Sequence, residues 1–202
     1  MSRLTCCNQF MRTAYRLLLL FFLSYPAITF AETEETTIQR AYPVPEHGEI
    51  ILNVPANWEV TYFSSGELKP PVITFYKKDK SQGELFQLNI STLWDDGFER
   101  DITRPEQIRA LVEETGMNIL ESSKEEDLKL ISIKGTQGEG YYFVLSDKYA
   151  RPGEYEYLMQ GAVSVGEILV VFSLFTREPD SPYQSNTLKM LLDALHKLQR
   201  HV

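Results

Sequence analysis

Two long strand-like segments separated by almost nothing constrain the fold of this chain most strongly. Residues 155–165 and 167–176 are each rich in β-branched and aromatic residues, and they join near Gly166. So short a connection makes neighbouring strands antiparallel, because parallel strands need a crossover of a dozen or more residues. The sequence therefore predicts an antiparallel sheet.

The same signals recur along the rest of the chain. Residues 85–94 alternate apolar and polar side chains, as expected for a strand with one buried face. Turns containing Gly, Pro, Asn or Asp separate this segment from other apolar runs of strand length. The remaining predicted strands are 49–54, 58–63, 72–77, 128–133 and 141–145.

Two helical patterns interrupt the strands. The first, at 105–116, has apolar residues at helical spacing, and Thr103 and Glu106 stand at the spacing of a capping box. The second, at 185–198, carries five leucines on one face. The order of strands, helix, strands and helix predicts an α+β fold, an antiparallel β-sheet flanked by helices with one helix on each face.

The N-terminus predicts export. Arg12 and Arg16 precede an uncharged apolar run at 17–23, and a short segment ending in Ala31 follows, which is the arrangement of a cleavable secretory signal. The run is shorter than the about 20 apolar residues that span a bilayer, and an uncleaved anchor is the alternative. We expect cleavage after Ala31 and a periplasmic or secreted protein with no integral membrane segment.

Domain organisation follows from this signal. Translation starts at either Met1 or Met11, because the signal is complete from Met11 onward. Removal of the signal peptide, 1–31, leaves 171 residues, which is one domain's worth of chain. We expect 32–46, which is acidic and then proline-containing, to be a loose leader, and 47–202 to form a single domain.

Charge and cysteine content exclude several classes of function for the exported form. Residues 1–31 carry three arginines and no acid, so 17 basic and 28 acidic residues remain and the net charge changes from −8 to −11. Such a surface repels nucleic-acid phosphates and anionic membranes. Both cysteines lie within the signal, which leaves no disulfide, no thiol nucleophile and no thiolate metal ligand.

No catalytic motif is recognisable in the sequence. His196 and His201, near the end of the second predicted helix, are five residues apart and do not share a helical face, while His47 lies in a turn. The glycine-rich segment 135–140 precedes a strand rather than a helix, which indicates a hairpin turn and not a phosphate loop. We expect no catalytic residue, and a hydrolase assembled from scattered Ser, His and Asp side chains is the least favoured function.

The densest carboxylate cluster is formed by Asp95 and Asp96 together with Glu99 and Asp101. Carboxylate oxygens at alternate positions suit calcium, but the spacing does not match that of an EF-hand loop. A solvated turn is the favoured interpretation. A calcium-binding or small-ligand carrier, with Asp95 and Asp96 as ligands, is the alternative function, and no other cofactor is expected.

The most unusual segment is 139–160, which contains five tyrosines around a Pro152–Gly153 turn. Tyrosine and arginine dominate protein interfaces because they bury a large area and form hydrogen bonds at the same time. In the alternative interpretation, half of the tyrosines fill the sheet face and the charges form exposed ion pairs. The predicted binding residues are Tyr149, Arg151, Glu154, Tyr155 and Tyr157.

Several of these segments resemble the PsbP/Mog-like fold family. The segment 52–58 (LNVPANW) is similar to the opening strand of that fold, and 140–148 with 152–157 is similar to an uncharacterised subgroup of exported bacterial proteins. The resemblance covers 46–200 and implies an α/β/α sandwich. Members of this family act by binding partners rather than by catalysis, so the resemblance implies a binding module.

Together, these features predict a non-enzymatic binding or accessory protein of the periplasm or cell envelope. The aromatic hairpin is the expected contact surface, and the expected partner is an unidentified protein of the envelope rather than a nucleic acid.

Overall fold

Ten strands and two helices are formed by the part of the chain that the computed structural model describes, residues 36–64, 69–95 and 101–198. The strands are β1 (Thr37–Val44), β2 (Gly48–Pro55), β3 (Glu59–Phe63), β4 (Val72–Asp79), β5 (Gly83–Trp94), β6 (Ile131–Lys134), β7 (Glu139–Ser146), β8 (Tyr157–Val165), β9 (Ile168–Thr176) and β10 (Leu195–Lys197). The helices are α1 (Pro105–Leu120) and α2 (Pro182–Leu192).

The strands form two sheets in which every pairing is antiparallel. The large sheet has the order β3-β4-β5-β9-β8-β7-β6, and the small sheet has the order β1-β2-β10. Val165 pairs with Ile168 across the β8–β9 turn. Gly166 in this turn has φ +61°, a conformation that glycine adopts without steric cost. The predicted antiparallel α+β fold is confirmed.

An aromatic core fills the space between one face of the large sheet and the elements that cover it, the small sheet and α2. Trp58 and Phe86 have ring centroids 4.5 Å apart, and Phe86 stacks on Tyr183 of α2 at 4.3 Å. Phe75 and Phe172 are fully buried in the same cluster. This face of the sheet supplies the larger share of the buried aromatic area.

The opposite face of the large sheet carries α1. Ile108 and Val112 of the helix are buried against Phe143 of β7 and Ala162 of β8. The two helices therefore lie on opposite faces, as predicted. Packing of α1 is concentrated on β7 and β8, at one side of this face.

The predicted loose leader at 32–46 is wrong for Thr37–Val44, which forms β1. This strand pairs with β2 along its whole length, and its side chains Tyr42 and Val44 are buried. Pro43 is tolerated because β1 is an edge strand of the small sheet, where no outer neighbour needs its missing N–H group. The domain therefore starts earlier than residue 47, the predicted beginning.

The second helix is shorter than the predicted 185–198. It ends at Leu192, with Asp193 (φ −89°, ψ 0°) as its C-cap, and the chain then forms β10 against β2. His196 thus lies in a strand, not at a helix end. Its Nε2 is 2.6 Å from the backbone carbonyl oxygen of His47. This contact fixes the imidazole against the turn between β1 and β2.

The start and end of α1 also differ from the prediction. Arg104 is the N-cap and makes no side-chain capping bond, while the Thr103 hydroxyl donates to Asp101 Oδ1 at 2.6 Å. The helix passes through Gly116 and ends at Leu120. Gly116 serves packing rather than termination, because a Cβ atom there would lie 2.6 Å from the side chain of Leu128.

Candidate binding site

A cavity opens where the C-terminal end of α1 meets the connection between β7 and β8. The turn that follows α1 is tied to the start of this connection by an antiparallel bridge between Ser123 and Asp147. The Lys124 N–H also donates to the Ser146 carbonyl oxygen at 2.8 Å. These backbone contacts hold the helix end and the β7–β8 connection at a fixed separation.

We call this cavity the tyrosine pocket. It has a volume of about 360 Å³ and is lined by Ile119 of α1, Phe175 of β9, and Tyr149, Tyr155 and Tyr157 of the β7–β8 connection and the start of β8. The volume falls within the about 300–1,000 Å³ range of ligand pockets. Tyr149 is 69% exposed, so it forms an accessible rim, whereas Tyr155 and Tyr157 are half-buried.

Tyr155 is held in place from three sides. Its ring lies 6.2 Å from the ring of Phe175, the Arg177 guanidinium lies 5.7 Å from its centroid, and its hydroxyl donates to Glu84 Oε2 at 3.5 Å. Burial and the Glu84 carboxylate raise the pKa of Tyr155 against the opposing charge of Arg177. The hydroxyl is therefore a neutral donor at physiological pH.

One wall of the tyrosine pocket is braced by a partly buried carboxylate contact. Ser146 donates to Glu125 twice, from its N–H to Oε2 at 2.8 Å and from its hydroxyl to Oε1 at 2.7 Å. Partial burial acts to raise the pKa of Glu125, but hydrogen bonds from the Ser146 N–H and hydroxyl, from its own N–H and from Ser123 together outweigh it and hold this pKa below its ordinary value of 4.5. Glu125 is therefore ionised at neutral pH.

Replacing Glu125 with glutamine is expected to lower the free energy of unfolding by about 1 kcal/mol at pH 7, because the charge-assisted contact with Ser146 is weakened. The folded-state pKa is below the unfolded one, so this contribution is present above pH 4.5 and is lost as the pH falls through the folded-state pKa. Guanidinium denaturation at pH 7, 5 and 3 measures the difference, which should shrink towards pH 3. The exposed neighbour Glu126 provides the matched control, Glu126→Gln, and equal effects in both variants would contradict the assignment.

Comparison with known proteins gives a fold but no sequence relative. No protein-family model matches the sequence, and no curated protein matches it. A crystal structure from Bacteroides thetaiotaomicron VPI-5482 is similar with a TM-score of 0.52 and 16% identity over 81% of this chain. The chain spans about half, 50%, of that protein's length.

The second similar structure carries a name. The solution structure of cyanobacterial PsbP (CyanoP) from Synechocystis sp. PCC 6803 matches 83% of this chain and 96% of PsbP, with a TM-score of 0.51 and 9% identity. This chain has a PsbP-like fold. The fold predicted from the resemblance in the sequence is thereby confirmed.

The PsbP-like domain brings three of the five predicted binding residues together in the tyrosine pocket, namely Tyr149, Tyr155 and Tyr157. The other two, Arg151 and Glu154, lie at the tip of the connection and close a small turn on each other. The Arg151 N–H donates to Glu154 Oε2 at 2.9 Å, and the Glu154 N–H donates to the Arg151 carbonyl oxygen at 3.0 Å. Both side chains are exposed beside the pocket rather than inside it.

The predicted metal ligands are only partly covered by the structure. Asp95 is exposed directly after β5, while Asp96, the cleavage residue Ala31 and His201 lie outside the described residues. Within the described part of the PsbP-like domain, no three His, Cys, Asp or Glu side chains are grouped as a metal site requires. Calcium binding through Asp95 and Asp96 stays a prediction.

Sequence reasoning missed the pocket's contributions from outside the tyrosine-rich segment. Ile119 and Phe175 come from a helix and a strand that are distant in sequence, and Glu125 acts through Ser146. The only sequence signal for Phe175 is its place in a predicted strand. None of the described helices in the PsbP-like domain has the length and apolar character needed to cross a bilayer.

Proposed function

We propose that this PsbP-like protein is an exported, non-enzymatic binding or accessory protein of the periplasm or cell envelope, and that the tyrosine pocket contacts its partner. The observation that carries the proposal is the pocket's construction. Three tyrosines and Phe175 surround an open cavity of about 360 Å³, and Tyr149 projects from its rim. Aromatic side chains of this kind give large contact area at a low cost in conformational entropy.

The chemistry of the pocket favours binding over catalysis. The Ser146 hydroxyl, which lines the pocket, donates to the carboxylate of Glu125, which does not line it, so these two groups are engaged with each other. The lowered pKa of Glu125 makes this carboxylate a weak base, whereas a general base works best with a pKa near the operating pH. Glu156, another lining residue, forms an ion pair with Lys124. These groups support the wall of a binding site.

The fold and the N-terminal sequence support the remaining parts of the proposal. The resemblance of the sequence to the PsbP/Mog-like family implies action through partner binding, and the PsbP-like fold agrees with that class of function. Export rests on the charged and apolar pattern that ends at Ala31. An acidic, cysteine-free domain is compatible with an envelope compartment.

Site-specific photocrosslinking tests the proposed contact. The full chain, including residues 1–31, is expressed in its own host with p-benzoylphenylalanine in place of Tyr149, and the envelope fraction is irradiated. We expect a discrete crosslinked band whose yield falls at least about tenfold when Tyr155 is also replaced by alanine, since loss of an aromatic anchor in an interface has effects of this size.

The matched control carries the same photoreactive residue in place of Met117. This side chain is 56% exposed on α1, away from the lining of the tyrosine pocket. If the Met117 variant gave the same band with a yield equal to that of the Tyr149 variant, the contact would be non-specific and the proposal would be overturned. The absence of any band from the Tyr149 variant would also overturn it.

A further inference from the structure

Among the residues that the structure describes, a large part of the α1 face of the seven-stranded sheet has no element packed on it. Adjacent strands are about 4.8 Å apart, so seven strands span about 29 Å, whereas one helix is about 10 Å across and covers roughly two strands. Helix α1 packs on β7 and β8. On the neighbouring strand β9, the side chains that alternate onto this face, Val171, Ser173 and Phe175, are only half-buried.

A second cavity lies along the same flank of α1 as the tyrosine pocket. It has a volume of about 160 Å³ and is lined by Leu111, Val112 and Thr115 of the helix and by Ala162 and Val171 of the sheet. Leu111 is 39% exposed although it lines an apolar cavity. An exposed leucine beside an unfilled apolar crevice indicates a surface suited to a further apolar contact.

The two cavities are ends of one surface, which we call the α1 groove. Its wall consists of Leu111, Thr115 and Ile119, spaced four residues apart on α1. Its floor includes Val171 at one end and Phe175 at the other, both on β9. The groove runs alongside α1, because Leu111 of the wall and Val171 of the floor line one cavity, and Ile119 and Phe175 line the other.

The dimensions of the α1 groove match those of a helix. Leu111 and Ile119 are eight residues apart, about 12 Å along α1, and Val171 and Phe175 are four strand residues apart, about 13 Å. Two side chains seven or eight residues apart on another helix are separated by about 10.5–12 Å and lie on nearly the same face. Helices pack at about 8–10 Å from one another, which places the axis of a second helix over β9 and β5.

The centre of the groove floor is polar. Gln160, Ser173, Asn89 and Thr74 form one cross-strand row through the registers of β8, β9, β5 and β4. The side-chain oxygen of Asn89, Oδ1, accepts from the Thr74 hydroxyl at 2.9 Å and from Gln87 Nε2 at 3.2 Å. A row of this kind suits a partner that presents a small or polar side chain between two apolar side chains. The exported form, with residues 1–31 removed, has 17 basic and 28 acidic residues and a net charge of −11, which favours a basic partner.

We infer that the α1 groove binds an amphipathic helix of the partner protein, with two bulky apolar side chains seven or eight residues apart and a basic solvent-facing side. One apolar side chain enters the tyrosine pocket, and the other enters the cavity beside Leu111 and Val171. The inference rests on the proposed binding function and specifies the chemistry that the site takes.

A displayed library of 18-residue helical peptides, randomised on all faces, tests this inference against the purified exported protein. We expect the enriched sequences to carry two large apolar residues at a spacing of seven or eight, with Lys and Arg on the other side. Ser173→Arg, which places a long cation on the groove floor, should weaken binding of an enriched peptide at least about tenfold. Thr115→Arg on the groove wall should do the same.

The matched control is Ser132→Arg. Ser132 lies on the same face of the sheet but on β6, on the other flank of α1, and is exposed. Circular dichroism and unfolding midpoints verify that all three variants are folded. Enriched peptides without the spaced apolar pair, binding that ignores both Ser173→Arg and Thr115→Arg, or no enrichment at all would overturn the inference. If Tyr149 formed a crosslink but the peptide selection failed, the proposed function would stand and only the inference of a helical partner would be overturned.

Discussion

Replacing Phe172 with alanine is expected to lower the free energy of unfolding by about 3–5 kcal/mol. Phe172 is 1% exposed in β9, where it stands opposite Ile90 on one side and Gly161 on the other. Because Gly161 has no side chain that can move into the vacated space, the cavity left by the ring collapses poorly. The total free energy of unfolding of a domain is about 5–15 kcal/mol, so this single change removes a large part of the stability.

Guanidinium denaturation followed by tryptophan fluorescence, to which buried Trp58 and half-buried Trp94 contribute, measures this loss. Phe63→Ala is the matched control, because Phe63 is 67% exposed on the edge strand β3 and its removal should cost less than about 1 kcal/mol. Similar losses in the two variants would show that Phe172 does not fill the core as described.

Adding one methyl group at Gly161 is expected to cost about 3 kcal/mol, at the upper end of overpacking effects. A Cβ atom there would lie 2.3 Å from the Tyr141 carbonyl oxygen and 2.5 Å from Tyr142 Cβ, both on β7. Backbone atoms cannot rotate away as side chains do. Gly161→Ala must therefore push β7 and β8 apart, which weakens their hydrogen-bonded ladder.

Hydrogen exchange of the β7 and β8 amides separates this effect from a general loss of stability, since these amides should lose protection before those of β4 and β5. Gln160→Ala is the matched control, because the neighbouring Gln160 is half-buried and its change should cost less than about 1 kcal/mol. Wild-type exchange rates in β7 of Gly161→Ala would rule out the close approach of the two strands.

Most strands were predictable because their information is local. The alternation in β5 and the apolar runs of β8 and β9 report burial on one or both faces directly. In contrast, β10 has only three residues and follows α2 without a Pro or Gly, so leucine spacing extends through Leu195 and Leu198 as if the helix continued. Only pairing with β2, which is distant in sequence, makes Leu195–Lys197 a strand.

The error at β1 has a different cause. Acidic residues and prolines in 32–46 indicate a loose segment, yet Ile38, Arg40, Tyr42 and Val44 alternate as a strand does. The acidic and proline signals outweighed a weak alternation whose burial depends on the small sheet. Similarly, the capping box at Thr103 failed because the helix begins one residue later, with Arg104 as the N-cap, so Thr103 lies outside the capping position and its hydroxyl donates to Asp101 instead.

The candidate site also has one part that was predictable from the sequence and one part that was not. The tyrosines at 149, 155 and 157 stand out by composition, and the structure gathers them at one pocket. Their partners Ile119 and Phe175 come together with them only through the packing of α1 on the sheet and the β8–β9 register. Such long-range neighbours have no signature in the local pattern.

The pairing of β10 with β2 also sets the order in which this domain can complete its fold. β2 is among the first elements to leave the ribosome, and β10 follows every other described element. The two lie about 145 residues apart in sequence, a separation that makes loop closure slow. The small sheet therefore stays unfinished until Lys197 has been synthesised, so the domain can complete its fold only when nearly all of the described chain is available.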